Sequence, residues 1–313
     1  MSYDTSSTTG DPAPQSVSYS VIVPTFNRAA TIGRAIESVL SQDFENWELV
    51  IVDDGSTDDT AAVVRPLLSD RRIRYVAQSN AGVAAARNTG ASTATGSMLT
   101  FLDSDDEVTA SWLADFHRQV DLTGERVGFV SCGFRIAGRD CPPRWRDELS
   151  ASPYNSLSGT FAVSKRVFDI IGGYDAQLRQ SENWEMVLRA LDSCQRASLK
   201  IAATPRCNLI VHRAKNRTQQ RSRDLDRANA YLHLHDKYVT DGILHARRER
   251  FLVGAAVNFA RSGQLADSRR WFYRNFRRYP STSNLARIVC FEIPYVRNRL
   301  WNSRNLAIEI TDN

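Results

Sequence analysis

The first part of the chain alternates between short apolar runs and segments whose apolar residues recur at helical spacing. The runs are rich in β-branched residues and lie at Ser20–Pro24, Glu48–Val52, Ile73–Val76 and Met98–Leu102. Helices are predicted between them at Ile32–Gln42, Ala61–Leu68 and Asn80–Gly90. Strand-length runs that alternate with amphipathic helices indicate parallel pairing through helical crossovers. The pattern therefore predicts an α/β fold with a doubly wound, mostly parallel, Rossmann-like sheet and helices on both faces.

Beyond this region the pattern continues as mixed helices and strands and then becomes helical. We predict, in order, a helix at Ser111–Val120, a strand at Val127–Ser131, a loop at Cys141–Pro153, a helix carrying Val163 and Val167, a helix over Gln180–Arg189 and a strand at Cys207–Val211. From about Ser222 the spacing is helical. We expect three parts: a disordered leader rich in Ser, Thr and Pro (1–17), an α/β domain (18–214) and a basic α-helical C-terminal module (215–313).

Composition limits the class of protein. The chain has 313 residues, 42% hydrophobic and 24% charged, which is ordinary for a globular protein. It has no apolar run near the roughly 18 residues of a membrane span, and its leader lacks the apolar segment of a signal peptide. The five cysteines are spread without a C-x-x-C pair, which argues against a disulfide framework or a zinc site. We predict a cytoplasmic location.

The positive charge is uneven. The formal net charge is +5, and between His212 and Arg304 basic residues outnumber acidic ones by roughly three to one. Such a surface could meet anionic lipid, nucleic acid or a phosphorylated acceptor, and solvated helix faces are a more common explanation. Because no nucleic-acid-binding module is recognisable, we interpret the surface as a peripheral contact with an anionic membrane, at its inner face, and predict no nucleic-acid partner.

An acidic cluster follows the fourth predicted strand. Asp103, Asp105 and Asp106 come directly after the apolar run that ends at Leu102. Ligands of open α/β sheets bind at the carboxyl ends of the strands. Carboxylates this close repel one another unless they share a cation, and a hard divalent metal completed by phosphate oxygens would supply it. The alternative is an acidic turn without a ligand.

Four segments together carry a family resemblance. They are Val21–Arg28 (V-I-V-P-T-F-N-R), Val52–Asp58 (V-D-D-G-S-T-D), Ala86–Gly90 (A-R-N-T-G) and Leu102–Asp106 (L-D-S-D-D). In order and spacing they resemble the family 2 glycosyltransferases of the GT-A fold, over about residues 18–210. The resemblance implies a GT-A type fold and transfer of a sugar from a nucleotide-diphosphate donor. No Q-x-x-R-W motif is present, which weighs against a processive polysaccharide synthase.

The resemblance also implies roles for individual residues. Nucleotide-binding positions would be Pro24, Thr25, Asn27, Asp54, Arg87, Asp103 and Ser104. Asp54 would accept a hydrogen bond from the base or ribose, and its neighbour Asp53 would brace the turn. Asp105 would ligate Mg²⁺ or Mn²⁺ bridging the diphosphate, with His212 as a further metal or phosphate contact or a structural histidine. A UDP-sugar is the favoured donor.

The catalytic base is where the sequence departs from the family. Gly172–Asp175 matches an acceptor-side segment, and Ser181–Glu185 falls where these enzymes carry a Glu-Asp pair whose aspartate is the general base. Here that position is Asn183, which cannot accept a proton. Glu182 is the first candidate to replace it and Glu185 the second. Alternatively, both glutamates are acids that stabilise the N-terminus of a helix.

The resemblance thus implies a metal-dependent, inverting glycosyltransferase. Its acceptor would be a hydroxyl of a surface glycan, a lipid-linked intermediate or a secondary metabolite. The main alternative is a nucleotide-sugar-binding protein that has lost catalysis, which Asn183 keeps open. A dehydrogenase is disfavoured because no G-x-G-x-x-G follows the first strand.

Overall fold

The computed structural model of the chain describes residues 17–123, 126–143, 156–212, 220–240 and 245–301. Residues 1–16 of the predicted leader, most of the loop predicted after Cys141 and the boundary near residue 215 lie outside these ranges. Within them, no helix has both the length and the hydropathy needed to cross a membrane.

The strands form one nine-stranded sheet in the order β3-β2-β1-β4-β8-β6-β9-β5, with β7 paired to β6. Their bounds are β1 Tyr19–Thr25, β2 Trp47–Asp53, β3 Ile73–Ala77, β4 Met98–Phe101, β5 Glu107–Val108, β6 Val127–Ile136, β7 Arg139–Cys141, β8 Phe161–Ser164 and β9 Lys200–Val211. The first four strands are parallel, as predicted. In the sheet, β2 and β3 lie on one side of β1 and β4 lies on the other. At such a reversal of strand order a crevice opens between the carboxyl ends of the two central strands, here β1 and β4.

The second half of the sheet is mixed. β8 lies antiparallel to both β4 and β6, whereas β9 runs parallel to β6. The sequence placed Val163 in a helix, but it belongs to β8 and is fully buried. A short apolar run buried on both sides has no periodicity that separates strand from helix, so this prediction was wrong.

Helices cover both faces of the sheet, and the described elements that follow β9 are all helical. Their bounds are α1 Ile32–Leu40, α2 Thr60–Val64, α3 Val83–Thr93, α4 Trp112–Thr123, α5 Lys165–Ile170, α6 Glu182–Arg196, α7 Gln220–Lys237, α8 Arg248–Ser262, α9 Leu265–Arg278, α10 Thr282–Glu292 and α11 Pro294–Trp301. One core layer packs α1, α2 and α4 on the sheet, and the other packs α3, α5 and α6. Short 3₁₀ turns occupy Arg65–Ser69 and His245–Arg247.

The C-terminal helices share a core with the α/β part. Leu188 of α6 is buried with Leu234 of α7 and Phe251 of α8. Farther along, Phe272 and Phe291 form a second small core with Trp301. The helical part is therefore packed directly against α6, whose N-terminus lies at the site described next.

Candidate active site

A cavity of about 630 Å³ lies at the carboxyl ends of β1, β2 and β4. This volume is within the range of small-molecule sites. Its lining includes eight of the residues singled out from the sequence: Pro24, Thr25, Asp54, Arg87, Asp103, Ser104, Asp105 and Glu182. We refer to it as the strand-end cavity.

The two acids that end β2 have different surroundings. Asp53 accepts hydrogen bonds from the Ser56 amide at 2.7 Å and from the Tyr75 hydroxyl, so it braces the turn, as expected. Asp54 lines the strand-end cavity. Its Oδ1 accepts from the Ala81 amide and its Oδ2 from the Gly82 amide, both at 2.8 Å. Asp54 thus fixes the loop that leads into α3.

Asn27 supports the cavity from outside. Its backbone is left-handed (φ 53°), and its Oδ1 accepts from the Thr57 amide at 2.8 Å. The Ser56 hydroxyl in turn accepts from the Asn27 amide. Asn27 is not among the described residues that line the cavity, so the geometry gives it a part in joining two loops.

Helix α3 sits unusually close to the sheet. A Cβ at Gly90 would lie 2.4 Å from Cγ2 of Ile22, so only glycine allows this approach. Asn88, on the same helix, exchanges two 2.8 Å hydrogen bonds with the backbone of Tyr174. This packing carries Arg87 beneath the cavity.

Arg87 joins the two acidic sides of the site. Its Nη2 donates to Oδ1 of Asp103 at 2.8 Å, and its Nη1 donates to Oε1 of Glu182 at 2.9 Å. Nη2 also donates to the buried Ser158 hydroxyl. Burial alone would lower the pKa of the 2% exposed guanidinium, but the carboxylates, with Asp103 foremost, outweigh it and raise the pKa. Arg87 is therefore a permanent cation that positions both acids.

The acids that follow β4 crowd one another. Asp103 and Asp105 line the cavity with partly exposed side chains. Asp106 is buried beside them and accepts the His212 amide at 2.8 Å. Burial, together with the charges of Asp103 and Asp105, raises the pKa of Asp106 to about 7. Arg28 lies 3.5 Å from Oδ2 of Asp105, a long contact that leaves both groups accessible.

The structure does not bring His212 to the cavity. Its Nε2 lies 2.6 Å from Oε1 of Glu107, which also pairs with Arg34 at 3.0 Å. His212 is absent from the described lining, and its geometry fits the structural alternative. In the described part of the chain, no group of three or more His, Cys, Asp or Glu residues is placed to hold a metal ion.

Glu182 and Asn183, at the start of α6, point to different partners. Glu182 lines the cavity, with Oε1 held by Arg87. Asn183 accepts from the Tyr174 hydroxyl at 2.9 Å and donates to Ser158 at 3.3 Å. Asn183 does not belong to the described lining, so Glu182 is the carboxylate presented to the cavity at this helix end.

Glu185 lies away from the cavity. It is fully buried, and its oxygens accept from Arg189, Lys237 and the Tyr238 hydroxyl at 2.6 to 2.9 Å. Burial acts to raise the pKa of Glu185, but Arg189 and the other donors outweigh it and lower the pKa. With its oxygens engaged in this way, Glu185 joins α6 to α7 and does not meet the geometry required of a base.

We predict that Glu185→Gln lowers the free energy of unfolding by about 3 kcal/mol, because it leaves the largely buried Arg189 without its counter-charge, whereas Lys237 keeps its pair with Asp175. Urea unfolding measures this change. Asp192→Asn, which breaks the exposed α6 pair with Arg196, is the matched control and should change stability by less than about 0.5 kcal/mol. Since the folded-state pKa of Glu185 is lowered, its contribution is present above its ordinary value of 4.5 and should shrink as pH falls below it. Equal effects of the two substitutions would contradict the assignment.

Several lining residues were not predicted as site residues. Phe26 is 45% exposed at the cavity, and Arg28 and Arg179 stand at its edge. Arg223 reaches it from α7. Phe26 and Arg28 lie inside the first quoted motif, which was a usable signal. Arg223 lines the cavity only because α7 packs there, and the one related signal in the sequence is the excess of basic residues in the helical part.

The fold is that of GT-A glycosyltransferases. The solved structure of S. aureus TarS 1-349 in complex with UDP-GlcNAc matches with a TM-score of 0.60 and 19% identity, over 88% of this chain and 79% of that one. The model of "Glycosyl transferase family 2" matches residues 20–185, just over half of the chain. The chain therefore belongs to glycosyl transferase family 2.

Curated relatives match over shorter stretches. An uncharacterized glycosyltransferase of Rickettsia felis is 51% identical over 87 residues, which is 28% of this chain and 14% of the relative. The GalNAc(5)-diNAcBac-PP-undecaprenol beta-1,3-glucosyltransferase of Campylobacter jejuni is 44% identical over 98 residues, 30% of this chain and 32% of the relative. The match thus spans a third or less of either relative's length.

Proposed function

We propose that this protein is a metal-dependent, inverting glycosyltransferase that moves a sugar from a UDP-sugar to a hydroxyl of a lipid-linked glycan. The observation that carries the proposal is the presentation of Glu182 and the Asp103–Asp105 turn to one cavity, joined by Arg87. The UDP-GlcNAc complex of TarS supports a UDP-sugar donor. The name of the Campylobacter relative supports an acceptor of the undecaprenol-diphosphate type.

The donor would lie along the ends of β1, β2 and β4. Phe26 offers an exposed ring on which a base can stack. Asp54 is an acceptor for the base or ribose because its Oδ2 receives one hydrogen bond from Gly82 and retains a further lone pair. Arg28 and Arg179 supply positive charge for the diphosphate.

The residues of the acidic turn fit a divalent cation. Asp103 gives one oxygen to Arg87. Among the described residues the Asp105 carboxylate makes only the long contact with Arg28, while the Asp105 backbone carbonyl accepts from Arg34, so both carboxylates retain oxygens toward the cavity. Hard oxygen donors of this kind suit Mg²⁺ or Mn²⁺ when phosphate oxygens and water complete the shell. When bound, the metal would neutralise charge that develops on the leaving diphosphate.

Glu182 is the proposed general base. Its Oε1 is fixed by Arg87, while the carboxylate faces the cavity and can receive a proton. The acceptor oxygen gives its proton to Glu182 and attacks the anomeric carbon. The bond from that carbon to the diphosphate oxygen breaks, and UDP leaves on the opposite face, which inverts the configuration.

Release of UDP in a coupled assay tests the proposal. UDP-sugars are offered with sugars linked to undecaprenyl diphosphate, and we expect release that requires both donor and acceptor. UDP binding without release across the acceptor panel would instead favour the binding-protein alternative, which Asn183 keeps open.

Asp105→Asn is expected to slow UDP release at least about tenfold, and EDTA should have a comparable effect that excess Mg²⁺ or Mn²⁺ reverses. Asp121→Asn, at an exposed position on α4, is the matched control and should be unaffected. An Asp105→Asn enzyme with wild-type rate and the same response to metal would contradict the assignment.

We also propose a peripheral contact with an anionic membrane. Leu285 and Val289 are exposed four residues apart on α10, Ile293 is exposed directly after its end, and Tyr295 and Leu300 of α11 are exposed beyond it. Exposed apolar side chains of this kind, on a strongly basic part of the chain, are typical of helices that lie in a lipid interface.

Co-sedimentation with vesicles tests this contact. We expect the protein to bind phosphatidylglycerol-containing vesicles and to prefer them to phosphatidylcholine vesicles. The double substitution Leu285→Ser with Val289→Ser should weaken binding at least about tenfold. Leu122→Ser, at an exposed position on α4, is the control. No preference for anionic vesicles, or equal binding of both variants, would remove the proposal.

A further inference from the structure

A second cavity of about 320 Å³ lies where α6, α7 and α8 meet. Its walls include Ser181, Trp184, Tyr231, Arg247, Arg250 and Phe251. None of the residues used for the donor, the metal or the base belongs to this lining. We refer to it as the α6–α8 cavity.

The α6–α8 cavity begins directly beside the proposed base. Ser181 lines it, whereas its two chain neighbours, Gln180 and Glu182, line the strand-end cavity. On α7, Arg223 lines the strand-end cavity and Tyr231 lines the α6–α8 cavity. The two residues are eight positions apart, about 12 Å along the helix axis. The two cavities therefore approach each other at the N-terminus of α6, where the proposed base stands.

One wall of this cavity is aromatic and held in place. Trp184 meets Phe251 edge-on at 6.1 Å, and Tyr231 stacks on Phe251 at 6.2 Å. Gly254 makes room for this arrangement, since a Cβ there would lie 2.7 Å from the Tyr231 ring. Rigid aromatic faces of this kind are suited to the apolar face of a sugar ring.

The other wall is cationic. The guanidinium of Arg247 lies 5.7 Å from the centre of the Trp184 ring, and Arg250 is exposed at the opening. The described lining contains no carboxylate. Burial, reinforced by the neighbouring charge of Arg250, lowers the pKa of Arg247. An anion between the two guanidinium groups would relieve this repulsion and accept hydrogen bonds from both.

We propose that the α6–α8 cavity binds an anionic sugar unit of the acceptor, with the ring against Trp184 and Tyr231 and a phosphate between Arg247 and Arg250. This inference rests on the proposed function, because it assigns the acceptor of that same reaction. It makes the helical part of the chain a determinant of acceptor choice, since Tyr231, Arg247 and Arg250 all lie in it.

Saturation-transfer NMR with N-acetylglucosamine 1-phosphate tests the inference on the full chain. The strand-end cavity is first filled with saturating UDP and Mg²⁺, so that the probe cannot occupy it. We expect the sugar-ring protons to receive saturation, with affinity at least about tenfold higher than for N-acetylglucosamine or inorganic phosphate alone. Arg250→Ala should lower the affinity about tenfold, and Trp184→Leu should also weaken it.

The control is Arg270→Ala, at an exposed arginine of α9 outside the cavity. Equal affinity of Arg250→Ala and Arg270→Ala, or equal binding of the charged and neutral sugars, would overturn the inference while UDP binding stands. If UDP itself does not bind, the proposed function fails, and the probe is then titrated into the free protein. Binding that depends on Arg250 would then show a sugar phosphate site in the α6–α8 cavity, but it would overturn the assignment of that site to the acceptor.

Discussion

Glu182→Gln is expected to lower the rate of sugar transfer by about 10²–10⁴-fold, the usual contribution of a general base. Glutamine keeps an oxygen that can accept from Arg87, so the geometry of the site should survive. UDP affinity should be unchanged or slightly higher, because one negative charge leaves the cavity. The measurement is kcat from UDP release, together with a calorimetric Kd for UDP.

The neighbouring position supplies the contrast. Asn183→Asp restores a carboxylate where the resembling enzymes carry their base, but the structure directs this side chain to Tyr174 and Ser158. We therefore expect no gain in kcat from Asn183→Asp. A Glu182→Gln enzyme with wild-type kcat, or an Asn183→Asp enzyme with kcat raised tenfold or more, would show that Glu182 is not the base.

Arg87→Ala is expected to lower the free energy of unfolding by about 3 kcal/mol and to abolish transfer. The substitution leaves Glu182, whose side chain is nearly buried, without its counter-charge. Asp103 also loses its partner, but it is 39% exposed, so solvent compensates part of that loss. Arg87→Lys should not rescue activity, because an ammonium cannot reproduce the two-ended guanidinium contact with both acids. Urea unfolding and UDP release measure the two effects.

Arg28→Ala is the matched control for Arg87. Arg28 is about half exposed and 3.5 Å from Asp105, so its loss should change stability by less than about 0.5 kcal/mol while weakening UDP binding. Equal free energies of unfolding for Arg87→Ala and Arg28→Ala would contradict the role of Arg87 in linking the acidic turn to α6.

The sequence predicts the parallel half of the molecule well. β1, β2 and β4 are apolar runs with Pro or Asp at or next to their ends, and the alternation of such runs with helical segments predicts a parallel sheet. Because these strands are predicted, the acidic turn and the Asp53–Asp54 pair are also correctly predicted to lie at strand ends. The mixed half is harder, because β8 is too short and too buried to show a period.

Tertiary placement decides the remaining site residues. Glu185 and Glu182 are both acids in the first turn of α6. Glu185 is engaged by Arg189 one turn along α6 and by Lys237 and Tyr238 from α7 and its end, and the last two contacts depend on tertiary packing. His212 likewise ends a strand, and its pairing with Glu107 depends on the β5–β9 register. No local pattern reports contacts over such sequence separations.

Calorimetric titration of the full chain with UDP in Mg²⁺ tests the central claim most directly, namely that the strand-end cavity is a nucleotide-sugar donor site. We predict binding of one UDP per chain, weakened by Phe26→Ala and unchanged by Leu122→Ala, an exposed apolar control on α4. No heat of binding with UDP or any other nucleoside diphosphate, in Mg²⁺ or Mn²⁺, would contradict the claim. The acids at the strand ends would then be a turn without a ligand.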